Sequence, residues 1–485
     1  MIRPAPPADN PARRREPILR AVPAARPGAG TSLRPRDASS PLTGTDDMGS
    51  PVPLLVRGMA PLFLVLLAVS CAPSAPPASG PDAGHGHAHE AAPSGGTPGE
   101  VAAAAVSRCG GLRPQRKQAC YDGVLLGLLE ARGVGLAMET LGEVTVRDRD
   151  VKRDAHVYAH GIGIAAYAGA EQVGTTFAAC TPEHQSGCYH GVVQAYFVDA
   201  RRSGGEVTAE VANALCRDYR GTEGGAWLQF QCAHGMGHGL VMFHGHDLPT
   251  ALGGCDLLES DFERETCYQG AFMENVVNAI MPHHPAATLA QGEAHGAGGH
   301  GAHAHHPGAE APAGPAFRAL DRSDLLYPCS VMEERYWSAC YSMQTSAILH
   351  HTGRSVARTA RECERVPERM RATCFVSLGR DISGMTVQDR AASRRECARL
   401  ADSTARAWCH VGAATNMLHV TARGEDGIAY CRELPDTEDK SRCYQEVGVQ
   451  LVVLVGSTPA REEACRAAET AFVESCRRGA RLTGG

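Results

Sequence analysis

A chain of 485 residues has room for more than one ordinary domain. Its 43% hydrophobic content, 5% aromatic content and formal net charge of −6 describe a folded protein with no electrostatic pull toward nucleic acid. Cys-x-x-Cys-His, His-Glu-x-x-His, Gly-x-Ser-x-Gly and P-loop motifs are absent, which removes the c-type haem, zinc protease, serine hydrolase and NTPase readings.

Residues 1–47 are rich in Pro, Arg and Ala without an apolar period, and read as disordered. Met48 then opens a short n-region with Arg57, followed by an apolar run from Met59 to Val69 that ends in Ala68-Val69-Ser70-Cys71. Small residues ahead of a Cys, at the end of a run about half the ~20 residues of a membrane span, resemble the lipobox of bacterial lipoproteins. That resemblance implies a signal peptide over 48–70 and a diacylated Cys71 as the first mature residue. It also implies attachment to the membrane of a bacterial cell envelope, facing the periplasm or exterior. Met48 is then expected as the true start, with 1–47 outside the native chain. The alternative is an uncleaved anchor with a basic tail. Residues 71–105, with His85, His87 and His89 among Pro, Gly and Ala, read as a flexible tether.

Nineteen cysteines less Cys71 leave eighteen, an even number for an oxidising compartment. They form nine local pairs: Cys109 with Cys120, Cys180 with Cys188, Cys216 with Cys232, Cys255 with Cys267, Cys329 with Cys340, Cys363 with Cys374, Cys397 with Cys409, Cys431 with Cys443 and Cys465 with Cys476. The first members of the last five recur every 34 residues, the mark of stacked supersecondary units. Upstream the period stretches, and the interval from Cys109 to Cys180 holds a unit without cysteines, in which Tyr158 takes the helix-start Cys position. Ten units are expected from about 106 to 485.

Each unit reads as a short helix ending near one Cys and a longer helix with the other Cys in its first turns. Tyr444, Val447, Leu451 and Leu454 fall on one helical face, and Gly456-Ser457-Thr458-Pro459 breaks and restarts the chain. Bridging short helix to long closes small loops worth ~2–3 kcal/mol each, with bridging between neighbouring units as the alternative. Period and helicity resemble tetratricopeptide arrays, although that family's Trp, Leu-Gly, Tyr and Pro signature is absent. The resemblance is one of architecture. The fold expected is an all-α, right-handed α-solenoid of about ten hairpins, with halves at 106–282 and 317–485.

Three phrases stand at equivalent places in consecutive units: Tyr158-Ala159-His160-Gly161, Cys188-Tyr189-His190-Gly191 and Cys232-Ala233-His234-Gly235. His156 and His238 lie four residues from His160 and His234, so each pair shares a helix face. Imidazoles from adjacent helices would form a row on one surface and could meet at one transition metal ion, such as copper, zinc or iron. Met236, whose thioether would favour Cu(I), and His244 and His246 are auxiliary candidates; Asp122, Asp154 and Gln194 are candidate partners. His184, His350, His351, His410 and His419 read as surface or packing residues. The surrounding glycines imply a close approach by the next helix or a ligand. His283, His284, His295, His300, His303, His305 and His306 make the insert 283–316 a second, mobile metal-collecting tract.

Metal storage, delivery or sensing is the leading expectation. The alternatives are a scaffold whose concave face or C-terminal half docks a protein partner, with the histidines only packing, and a metalloenzyme with an open coordination position.

Overall fold

The computed structural model describes residues 96–222, 225–280 and 317–482. The expected leader, Cys71, residues 71–95 and the insert 283–316 lie outside these residues. Among them the protein has nineteen α-helices, six short 3-10 turns and no strand.

Short helices alternate with longer ones in all but the last pair, as the cysteine spacing demands; there both helices are short. The first five units are α1 (Pro98–Cys109) with α2 (Pro114–Arg132), α3 (Val134–Arg147) with α4 (Arg149–Ala166), α5 (Val173–Ala179) with α6 (Gly187–Arg202), α7 (Ala209–Leu215) with α8 (Gly225–Phe243), and α9 (Leu248–Asp256) with α10 (Asp261–Ile280). After the insert come α11 (Trp337–His351), α12 (Val356–Arg365) with α13 (Arg371–Met385), and α14 (Arg390–Cys397) with α15 (Ser403–Thr421). The last two pairs are α16 (Gly424–Arg432) with α17 (Thr437–Leu454), and α18 (Thr458–Arg466) with α19 (Val473–Gly479).

Local chemistry sets the boundaries. Thr97 and Glu100 form a reciprocal capping box and Pro98 occupies the first turn, so α1 begins inside the expected tether, ahead of its edge at 106. Asp148, Asp389, Asp402 and Asp436 cap α4, α14, α15 and α17 with side-chain carboxylates, and Ser457 caps α18 ahead of Pro459. Unit six departs from the expected hairpin: no α-helix precedes α11 among residues 317–336. The Gln344 side-chain amide instead donates to the carbonyls of Leu325 (2.7 Å) and Tyr327 (2.9 Å), satisfying backbone groups that a helix would have paired.

All nine expected disulfides form, and each joins a unit's first segment to the helix that follows it. In the first half Cys109 bonds to Cys120, Cys180 to Cys188, Cys216 to Cys232 and Cys255 to Cys267. In the second half Cys329 bonds to Cys340, Cys363 to Cys374, Cys397 to Cys409, Cys431 to Cys443 and Cys465 to Cys476. Bridging between neighbouring units is thereby excluded. Cys340 keeps this pattern although its unit lacks the short helix, so Cys329 reaches it from a turn. The cysteine-free second unit is tied differently. Asp148 accepts a hydrogen bond from the Tyr121 hydroxyl (3.0 Å) and pairs with Lys117 (3.2 Å), while Tyr158 packs edge-on against Tyr121.

The long helices stack in chain order from α4 through α6, α8, α10, α11, α13, α15 and α17 to α19. The array then curls back on itself. Helix α17 touches α8, and α15 touches the turn at His184–Ser186, where the Gln185 amide donates to the Asn416 side-chain oxygen at 2.7 Å across 231 residues.

Candidate metal centre

The histidine-bearing helices cross at backbone distance because glycines permit it. A Cβ on Gly163 would overlap the carbonyl oxygen of Cys188, and one on Gly191 would overlap that of His160, so α4 and α6 interlock through reciprocal glycines. Helices α8 and α10 repeat the device, with Gly237 against the Cys267 carbonyl and Gly270 against that of His234. The close approach inferred from the glycines is thus made by the next helix. Gly161 is the exception, with open space where its Cβ would stand.

These crossings bring all five histidines together. Ring centroids of His190 and His234 lie 4.6 Å apart, those of His234 and His238 5.1 Å, and those of His190 and His238 5.2 Å. His160 lies 5.5 Å from His238, and His156 lies 5.5 Å from His190 and 5.8 Å from His160. One nitrogen from each of His190, His234 and His238 falls within 4.8 Å of the other two, an arrangement that could hold a metal ion. The row expected on one surface is instead interior. His160, His190, His234 and His238 are buried and His156 is half-buried, because the helices press together at their glycines and the array closes over them.

Hydrogen bonds fix the ring tautomers. His190 Nε2 donates to Gln231 Oε1 at 2.8 Å, which leaves the lone pair on Nδ1, an atom with no hydrogen-bond partner among the described residues. His238 Nδ1 donates to Glu274 Oε2 at 2.8 Å, placing its lone pair on Nε2. A carboxylate behind an imidazole raises the ring's basicity as a ligand, the arrangement that commonly backs metal-bound histidines. His156 Nδ1 donates to the backbone carbonyl of His184 at 3.1 Å. That carbonyl is presented by three consecutive residues with positive φ, His184, Gln185 and Ser186. His234 Nε2 lies 3.4 Å from the Met273 sulfur, and its Nδ1 has no hydrogen-bond partner among the described residues.

Electrostatics keep His190 and His234 neutral. Burial, and then the neighbouring imidazoles, hold His190 and His234 far below the ordinary histidine range. His184 is held at about 4 by its own burial. Neutral rings with directed lone pairs are the form in which imidazole binds a metal.

The other candidates are dispersed. Met236 is fully buried in the hydrophobic core, and the thioether beside the cluster belongs to Met273. His244 packs on Phe243, and His246 lies 3.3 Å from Asn278 just past the end of α8. Asp154 pairs with Arg153 at 2.8 Å, and burial lifts the Asp122 carboxyl to about 6. Gln194, one turn after His190, is fully buried, with both amide atoms lacking a partner among the described residues.

Four members of the surroundings escape the repeat pattern: Gln231, Met273, Glu274 and His419. Glu274 leaves a trace, since it falls seven residues after Cys267 and four after Gly270, a carboxylate on the core stripe of α10. His419, expected as a surface or packing residue, stands near enough to His234 to disfavour charge there. It arrives only through the curl of the array. Compared with models of known protein families, with curated proteins and with solved structures, the chain matches none.

Proposed function

We propose that the protein binds one transition metal ion through His190, His234 and His238, with His160 and His156 alongside as further nitrogen donors. The single observation that carries this is the convergence of three buried imidazoles whose nitrogens lie within 4.8 Å of one another. Packing alone accounts for it less well, because a buried polar atom left unpaired costs about 1–3 kcal/mol and both His190 Nδ1 and His234 Nδ1 would bear that cost. A metal ion would satisfy both.

An all-imidazole set backed by Glu274 suits zinc, copper or iron. The role that fits is storage, delivery or sensing by an exported protein anchored through a lipidated Cys71, whose histidine-rich tracts gather the ion. The scaffold alternative, in which the histidines only pack, leaves the two unpaired imidazole nitrogens unexplained.

The test is elemental analysis of the full chain beside its His190→Ala/His234→Ala/His238→Ala variant, both dialysed against a mild chelator. The histidine tracts contribute equally to the two proteins. A difference of about one ion per chain is expected, and equal metal contents would sink the reading.

A further inference from the structure

The curl of the array encloses a cavity of about 570 Å³ beside the histidines, walled by α4, the His184–Ser186 turn, α10, α11, α13 and α15. This volume is in the range of small-molecule sites. Two lining residues belong also to the cluster's surroundings: His156, whose ring lies 5.5 Å from His190, and Met273, whose sulfur touches His234. One wall is apolar, built from Met273, Val277, Ile280, Met343, Leu349 and Met385.

The polar wall is cationic. Lys152, Arg153, Arg354 and Arg380 face the cavity, and among the described residues of its lining Asp381 is the one carboxylate. Asp381 is already engaged by Arg380 at 2.7 Å and by the Thr345 and Ser346 hydroxyls at 2.7 and 2.9 Å. Arg153 is neutralised from outside by Asp150 and Asp154. Lys152 and Arg354 have no carboxylate partner among the described residues. The buried Gln388 side-chain oxygen also lacks a hydrogen-bond partner among them. Unbalanced positive charge at the rim would repel a bare metal cation and attract an anion.

We infer that this cavity is a binding site for a small organic anion with an apolar body, its charged group between Lys152 and Arg354 and its body against α10, α11 and α13. The site stands on its own lining and does not require the metal. If an ion occupies the histidines, an anion seated here lies next to it, so the two ligands would bind cooperatively.

The probe is 8-anilino-1-naphthalenesulfonate, an aryl sulfonate whose fluorescence rises in apolar surroundings, titrated into the full chain at pH 7.5 and low ionic strength. Saturable 1:1 binding is expected, with the uncharged analogue N-phenyl-1-naphthylamine binding at least tenfold more weakly. Lys152→Glu/Arg354→Glu should weaken the sulfonate at least tenfold and leave the neutral analogue unchanged. Met385→Trp, which pushes a larger ring into the apolar wall without altering charge, should weaken both. Far-UV circular dichroism reads folding separately, and each variant tests the site without the other. Binding that ignores both variants, or no saturable binding to the native chain, would overturn the inference. Titration of the His190→Ala/His234→Ala/His238→Ala protein separates this outcome from the metal reading: the probe should still bind where metal does not.

Discussion

Helices α4 and α6 in the first half and α13 and α15 in the second cross in the same way. Gly379 lies against the Cys409 carbonyl and Gly412 against that of Val376, reciprocal as Gly163 and Gly191 are. Yet two residues after the helix-start cysteine, where α6 and α8 carry His190 and His234, α13 and α15 carry Val376 and Val411. The crossing therefore needs its glycine and tolerates an aliphatic side chain in place of the imidazole. Glycine and histidine thus have separate work: Gly163, Gly191 and Gly237 let backbones meet, and the histidines contribute chemistry that the fold does not ask for.

Breaking the shared element should cost most. Gly270→Val places a branched side chain onto the His234 carbonyl, and the expected loss is about 3 kcal/mol or more, read as a lower urea midpoint. Gly412→Val should behave alike in the half where valines stand at the motif-histidine positions. A crossing that accepted valine at either place would remove the glycine half of the comparison.

The converse change makes the first half resemble the second. His190→Val/His234→Val should leave the far-UV spectrum and the urea midpoint of the metal-free protein nearly unaltered, because it exchanges unsatisfied buried imidazoles for the residues found at Val376 and Val411. Metal affinity should fall at least 100-fold by competition with a chelator. A collapse of the fold instead would show that the histidines pack.

A pH series sharpens the contrast by a smaller amount. His190, His234 and His184 are depressed below their unfolded value near ~6.5, so below that pH the unfolded chain takes up protons that the folded one refuses. Their contribution is fully present above the unfolded value and is lost as pH falls toward their folded values. Asp122, raised to about 6, runs the opposite way and offsets part of it. Other depressed histidines, His410 among them, act alike in both proteins, so between pH 6.5 and 5.5 the metal-free protein should lose about 2 kcal/mol more than the His190→Val/His234→Val protein by urea denaturation.

The smallest effect separates Gly161 from its partners in the motif. With open space around its Cβ position, Gly161→Ala should stabilise the protein by about 0.5–1 kcal/mol, seen as a small rise in melting temperature.

Much of this was legible in the chain because the cysteines of the second half recur evenly, the phrases upstream keep the same register, and every contact they report is local. The ten units, the pairing of short with long helices, and the meeting of His156, His160, His190, His234 and His238 all follow from register along neighbouring helices. The residues that escaped depend on a different length scale. Gln231 precedes the repeat's own Cys by one place and Glu274 belongs to a unit without a motif histidine, so aligning phrases passes over both. His419 reaches the cluster, and Asn416 reaches Gln185, only because the curvature of the stack returns α15 and α17 to the first units. Curvature is the sum of small rotations per unit, and no single residue encodes it.

The disulfides, finally, join the first cysteine of the folded body to the second, the third to the fourth and so on along the chain, without a crossing. A polypeptide emerging from its amino end into an oxidant could complete every bridge before the following pair appeared. At no moment would that region expose more than two thiols to choose between. Such a chain can be oxidised as it is delivered, with no later reshuffling by an isomerase, and a reductant would loosen it one hairpin at a time.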